Sequence, residues 1–185
     1  MLRSIALIGV CLVPFLAIAG DTEPPKGWKA YPGGFKKEAY IVWLPDGKID
    51  EKESNIVNKS LQIRVFRTVS ERKDGAIFAA GQIILPPQLV KEQPKVRQAM
   101  FRDMFLEEVK GKLVSEKAVK LDTMAGKEYI AKTDNGMARY RIYGTGVLVL
   151  RQLVVGTKDQ VEGKDADIFF DSFKRTPPKE KAKDK

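Results

Sequence analysis

Residues able to do chemistry are few in this 185-residue chain, which has no histidine and one cysteine, Cys11. Without histidine there is no Ser-His-Asp or Cys-His nucleophile and no zinc site built from His and Cys ligands. The patterns G-x-S-x-G, G-x-x-x-x-G-K-[ST], H-E-x-x-H and the calcium-binding loop are all missing. Beyond the N-terminal segment the serines are Ser54, Ser60, Ser70, Ser115 and Ser172. None has a histidine to activate it, and nothing in the spacing motivates a Ser-Lys pair. Two carboxylates facing each other across a cleft could act as acid and base, which depends on the fold and not on sequence spacing. Asp165, Asp167 and Asp171 cluster near the C-terminus, as a hard-cation site would require. On a helix, however, 165 and 167 point apart, and acids in a first turn complement the helix dipole. The sequence therefore predicts no metal and no cofactor.

One constellation remains. Arg139, Arg141 and Tyr143 alternate along a strand-like run and so share a face, with Met137 beside them; Arg64, Phe66 and Thr68 do the same in another run. Side by side, the two runs would form a basic-aromatic surface suited to anionic groups. Held apart, the same long side chains would simply cover sheet beside Glu128 or Glu116.

Net charge fits either reading. The chain carries 33 Lys+Arg against 24 Asp+Glu, a formal +9, with 43% hydrophobic and 31% charged residues. That balance excludes a wholly disordered chain and a membrane bundle. Positive charge favours polyanions such as wall polymers or anionic lipid heads, and it also keeps a protein soluble.

The N-terminus reads as a leader. Arg3 precedes an apolar run from Ile5 to Ala19 that only Pro14 interrupts, and the run ends in Ala17-Ile18-Ala19, a small-x-small pattern. Its length falls short of the roughly 20 residues of a membrane span and matches a secretory signal, with cleavage expected between Ala19 and Gly20. An uncleaved anchor is the rival reading. A lipoprotein signal fits poorly, because Val10 is bulky and Cys11 sits in the middle of the run. Cleavage would remove the lone cysteine and leave 32 basic against 24 acidic residues, so the exported chain would fold without a disulfide. Nucleic acid is then the least fitting polyanion.

The elements that must position these residues follow from periodicity. Residues 20–27 read as a linker and 28–175 as one α+β domain. Residues 176–185, with four lysines and two acids, read as a disordered basic tail. Phe35 to Trp43 alternates as a strand with Phe35, Ala39, Ile41 and Trp43 on its apolar face, Trp28 and Tyr31 just ahead of it capping the core. Residues 46–59 are charged without a clear period and read as a loop. Leu61, Ile63, Val65 and Val69 mark a second strand, Asp74-Gly75 a turn, and 76–85 a central strand in which Gly81 signals a bulge or a close backbone contact. Pro94 opens a helix whose stripe is Val96, Met100, Phe101, Met104, Phe105 and Val109, with Gly111 as its stop. Strands then follow at 112–121, 127–133, 137–143 and 147–155, with turns at 122–126 and 144–146 and a tight Asp134-Asn135-Gly136 hairpin. Thr157 and Gln160 form a capping box, Gly163 interrupts the helical turn, and Ala166, Phe169, Phe170 and Phe173 line a last helix. The fold class expected is α+β, a mostly antiparallel sheet of six or seven strands with helices packed on it.

Several segments together resemble a set of small exported bacterial proteins without an assigned activity. They are Phe35…Leu44-Pro45, Val109-Lys110-Gly111-Lys112, Ala125-Gly126-Lys127-Glu128, the 139–143 strand, Gln152 to Gly156, and Lys164-Asp165-Ala166-Asp167…Phe170-Asp171-Ser172-Phe173. Their architecture resembles the PsbP/Mog-type α/β/α sandwich. The resemblance implies a fold and not an activity: PsbP proteins support a photosynthetic metal cluster and Mog-type proteins bind a small GTPase, and no residue signature of either is present here. The expectation is an exported, non-catalytic binding or assembly module, acting in the periplasm, at the surface or outside the cell, on an envelope protein or anionic polymer. The alternatives are an envelope hydrolase working with carboxylates alone and a polyanion-binding surface protein.

Overall fold

In the computed structural model, which describes residues 23–37, 39–58, 61–144 and 146–176, the chain opens with β1 (Trp28–Gly33), a 3-10 turn at Phe35–Lys37, and β2 (Tyr40–Pro45). A meander follows of β3 (Lys48–Asn58), β4 (Leu61–Glu71) and β5 (Ile77–Ile84). Helices α1 (Pro87–Val90) and α2 (Pro94–Glu108) lead into a second meander of β6 (Lys112–Leu121), β7 (Met124–Thr133), β8 (Gly136–Tyr143) and β9 (Leu148–Gly156). Helices α3 (Lys158–Glu162) and α4 (Lys164–Asp171) and the short β10 (Lys174–Arg175) complete the described chain. The Ala19–Gly20 junction and the basic tail beyond Thr176 lie outside the described residues.

Seven strands form one antiparallel sheet in the order β3-β4-β5-β9-β8-β7-β6, so β5 and β9 join the two meanders at its centre. Strands β1, β2 and β10 form a separate three-stranded sheet. Alternation along the central strands gives the large sheet two apolar faces. One carries Phe78, Ala80, Tyr143, Leu150 and Val154 and packs on β2, on α4 and on the segment after it through Tyr40, Val42, Leu44, Phe169 and Phe173. The other carries Ile63, Val65, Ile83, Tyr129, Tyr140 and Leu153 and packs on α2 through Phe101 and Phe105. Phe105 stacks on Tyr140 at 4.7 Å between ring centres, and its truncation to alanine would cost about 3–5 kcal/mol.

The large sheet has the expected composition, and several local expectations need correcting. The charged stretch 46–59 is largely a strand, β3. It lies at the sheet edge with most side chains in water, so it needs no apolar alternation, and charge on an edge blocks further pairing. Residues 35–43 are not one strand: Lys36 and Lys37 take left-handed backbone angles (φ 58° and 57°) and break it. Beyond the break the buried face is Tyr40, Val42 and Leu44, the opposite parity from that expected, and Phe35 and Ile41 face solvent. A large ring decides this, since Tyr40 stacks on Phe173 at 4.9 Å. Trp28 and Tyr31 lie on β1 and do pack against the core, Trp28 edge-on to Phe78.

On α2 the buried residues are Arg97, Phe101 and Phe105, while Val96 is exposed. Buried Arg97 donates to the carbonyls of Leu89, Val90 and Glu92, serving the open end of α1. The helix stops in a Schellman arrangement: Lys110 takes the left-handed conformation (φ 49°) and the Gly111 N–H donates to the Leu106 carbonyl at 2.9 Å. The β6–β7 turn is tighter than expected, with Leu121 pairing Met124. The Asp134-Asn135 hairpin, the Thr157/Gln160 capping box and the Ala166, Phe169 and Phe170 face of α4 are as the sequence predicts, whereas α4 ends at Asp171 and Phe173 is buried beyond it.

Candidate functional site

Arg139, Arg141 and Tyr143 do share one face of β8, and Arg64, Phe66 and Thr68 lie on the same side of the sheet on β4. The two sets do not meet, because β5 and β9 lie between those strands. Arg64 pairs with Glu53 at 2.6 Å and stacks over Phe35. Arg139 and Arg141 lie over the Phe170 ring at 4.7 and 4.6 Å and converge on Glu128, a carboxylate only 2% exposed. Arg139 Nε lies 3.0 Å, Arg141 Nε 2.5 Å and Lys117 Nζ 2.9 Å from Glu128. Asp167 and Asp171 on α4 accept from Arg139 Nη1 at 2.8 Å and from Arg141 Nη1 at 3.4 Å. Burial alone pushes the Glu128 carboxyl up; the hydrogen bonds from Arg141 and Lys117 and the charges of Arg139 and Arg141 outweigh it and hold it low. Tyr143 is buried, its hydroxyl donating to Gln152 at 3.3 Å, and burial raises its pKa. These groups fasten α4 to the sheet.

A different constellation opens on the other face. Helix α2 covers only part of it, and the half-buried side chains of β3, β4, β5 and β9 beside the helix line a groove of two lobes. The larger, about 740 Å³, has Val69, Ile77, Ala79, Leu153 and Val155 as its apolar floor. The second, about 540 Å³, is formed by Ile56, Val65, Ile83 and Met104. Arg67, Glu108 and Arg151 border both lobes and mark where they join. Pockets of a few hundred to about 1,000 Å³ with an apolar lining and a few convergent polar groups are the form that ligand sites take.

The strand register builds this junction. Arg67 on β4, Gly81 on β5 and Arg151 on β9 stand in line across three adjacent strands. A methyl group at Gly81 would stand 2.7 Å from the Phe66 carbonyl oxygen and 3.2 Å from Arg151 Nε. Of the two readings of this glycine, close approach holds: the register runs through it without a bulge. Arg151 reaches Glu108 at 2.9 Å; Arg67 is farther, at 3.8 Å. Glu108 closes α2, where the helix dipole disfavours an acid, so the arginines offset an unfavourable placement. Burial works against the charge on Arg151, but Tyr140 and Glu108 outweigh it and keep its pKa above that of a free guanidinium. Burial pushes Tyr140 up to about 12, so it stays a neutral hydroxyl beside that charge. Arg67 is under-used: its buried Nε has no hydrogen-bond partner among the described residues.

Arg67, Glu108 and Arg151 are not among the site residues expected from the sequence, although a signal is present for the two arginines. Arg67 occupies the parity of Ile63, Val65 and Val69, a charge at a core-facing position, and Arg151 interrupts a central apolar strand. Chemically the junction offers guanidinium donors next to apolar surface. Among the described residues, the carboxyls whose pKa is displaced, Asp74 and Glu128, are both held low and neither lines the groove. Among the described residues no cluster of three or more acids could hold a metal ion, and no helix is long and apolar enough to cross a membrane.

Neither a protein-family model nor a curated protein sequence matches the chain. Among solved structures it is similar to cyanobacterial PsbP (CyanoP) from Synechocystis sp. PCC 6803, with a TM-score of 0.54 at 10% identity. The match covers 88% of this chain and 99% of that one. The chain thus has a PsbP-like fold, an antiparallel sheet between packed layers, as the resemblance implied. At that identity the likeness shows the fold and carries no site residues across.

Proposed function

We propose that this protein is an exported, non-catalytic binding module whose binding surface is the two-lobed groove beside α2. One observation carries the reading: a sheet face left uncovered by its helix, apolar in its floor and furnished at its centre with an arginine that lacks a full set of partners. A folded domain that leaves such a groove open presents it to a ligand or partner. The PsbP-like fold is compatible with a module that binds without turning over substrate. The leader-like N-terminus and its Ala19–Gly20 junction support export. The Glu128 cluster, already satisfied by its own cations, serves stability in this reading.

The test is site-specific photo-crosslinking in the native host, with a benzophenone residue at Ile56 or Val69 in the groove and at Ile41 on the opposite layer. Adducts that form from Ile56 and Val69, depend on the folded protein and are absent from Ile41 are expected. Equal labelling from all three positions, or none from the groove, would overturn the assignment of this surface.

A further inference from the structure

The chemistry of the junction names the class of ligand. Building on the groove as the binding surface, we propose that it takes a small amphipathic carboxylate, an apolar body with one carboxylate that docks on Arg67 and Arg151. The protein already holds a group of this kind: Glu108 places its carboxylate between the two guanidiniums, at 2.9 Å from Arg151 and 3.8 Å from Arg67. Two guanidiniums around one carboxylate leave a local charge of +1, and each can form a forked pair with two oxygens. Arg67 meets Glu108 only at the long end of an ion pair, and its buried Nε has no partner. The Nε itself is closed off, but 37% of the Arg67 side chain is exposed, so its outer N–H groups can turn to an incoming oxygen.

The apolar floor gives the rest of the recognition. Val69, Ala79, Leu153 and Val155 lie in the larger lobe and Ile56, Ile83 and Met104 in the smaller, with the arginines between them. A headgroup at the junction therefore sends its body along either lobe over apolar side chains. The rim is mixed in sign, carrying Lys48 and Lys110 as well as Asp50, Glu71 and Asp134, so selectivity for an anion rests on the central arginines. Glu108 acts as an internal stand-in: it keeps Arg151 and Arg67 oriented when the groove is empty and gives way when a ligand carboxylate arrives.

A matched pair of fluorescent probes tests this with residues 20–185. Anilinonaphthalene sulfonate and N-phenyl-1-naphthylamine share an apolar body and differ in the anionic group. The wild type is expected to bind the sulfonate about tenfold more tightly than the neutral probe, the worth of one charge-assisted hydrogen bond. Arg67→Met should remove that preference and leave the neutral probe unchanged, while Arg64→Met on the opposite face should change neither. Glu108→Gln should tighten the sulfonate severalfold by freeing the arginines. Since Arg67 is partly exposed, its variant is expected to fold, and circular dichroism with a melting curve confirms it. Decanoate should displace the sulfonate, and vesicles of phosphatidylglycerol should not. Displacement by vesicles with decanoate inert would overturn the choice of a small carboxylate. Equal binding of both probes, insensitive to Arg67→Met, overturns the anion and leaves the groove standing as a binding surface. Binding of neither probe overturns both.

Discussion

Glu128 offers the sharpest test of how α4 is held on the sheet. Glu128→Gln keeps the shape of the side chain and removes the charge that Arg139 and Arg141 share beside Phe170. Breaking a buried ion pair by removing one partner costs about 3–5 kcal/mol. The low end applies here, because Asp167 and Asp171 remain available to the two arginines, and exposed Lys117 contributes little. The expected loss is therefore about 3 kcal/mol at pH 7, or a fall in Tm of about 6–12 °C for a chain of this size. The loss should also depend on pH. Folding holds the Glu128 carboxyl below its ordinary value of 4.5. Its contribution is complete above that value and disappears as the pH falls through the lower, folded value. The glutamine variant lacks this component, so the gap between the two proteins should narrow as the pH is taken from 7 to 3. Urea unfolding at a series of pH values measures it. A gap under about 0.5 kcal/mol at pH 7, typical of an ordinary surface change, would refute the reasoning. So would a gap of 3 kcal/mol that does not change with pH.

Other expectations follow from single contacts. Gly81→Ala should cost about 1–3 kcal/mol in urea unfolding, since its methyl would press on the Phe66 carbonyl and on Arg151; a neutral effect would mean that Arg151 does not lie across the glycine. Thr157→Ala removes the capping box of α3 and should cost about 1 kcal/mol, read from the same measurement. Protein recovered from the host envelope should begin at Gly20 by N-terminal sequencing; a chain that keeps Met1 and sediments with membranes would favour the uncleaved anchor.

What the sequence revealed and what it hid divide along physical lines. The hairpin at Asp134-Asn135, the α3 capping box and the phenylalanine face of α4 rest on local chemistry, so residues a few positions apart announce them. Strand β3 was hidden because an edge strand in water carries charge on both sides, which in sequence has the look of a loop. The parity of β2 was hidden because a left-handed break at Lys36 and Lys37 resets the alternation ahead of it. The Arg139–Arg141 face was legible, but its neighbour was not: strand order is a tertiary property, and β5 and β9 intervene. The groove needed both kinds of information. Arg67 at a core-facing position and Arg151 in an apolar strand were visible in the sequence. Only the register that aligns them across Gly81, and the course of α2 that brings Glu108 between them, turns two oddities into a site.

The central claim is that the groove beside α2 is where this protein binds. Methyl chemical-shift mapping tests it most directly, by titrating anilinonaphthalene sulfonate into residues 20–185 labelled at Ile, Leu and Val methyls. Shifts centred on Ile56, Val69, Leu153 and Val155, with Ile41, Val42 and Leu44 on the opposite layer unmoved, are the predicted result. Shifts centred on β2 and α4, with the groove methyls still, would contradict the account.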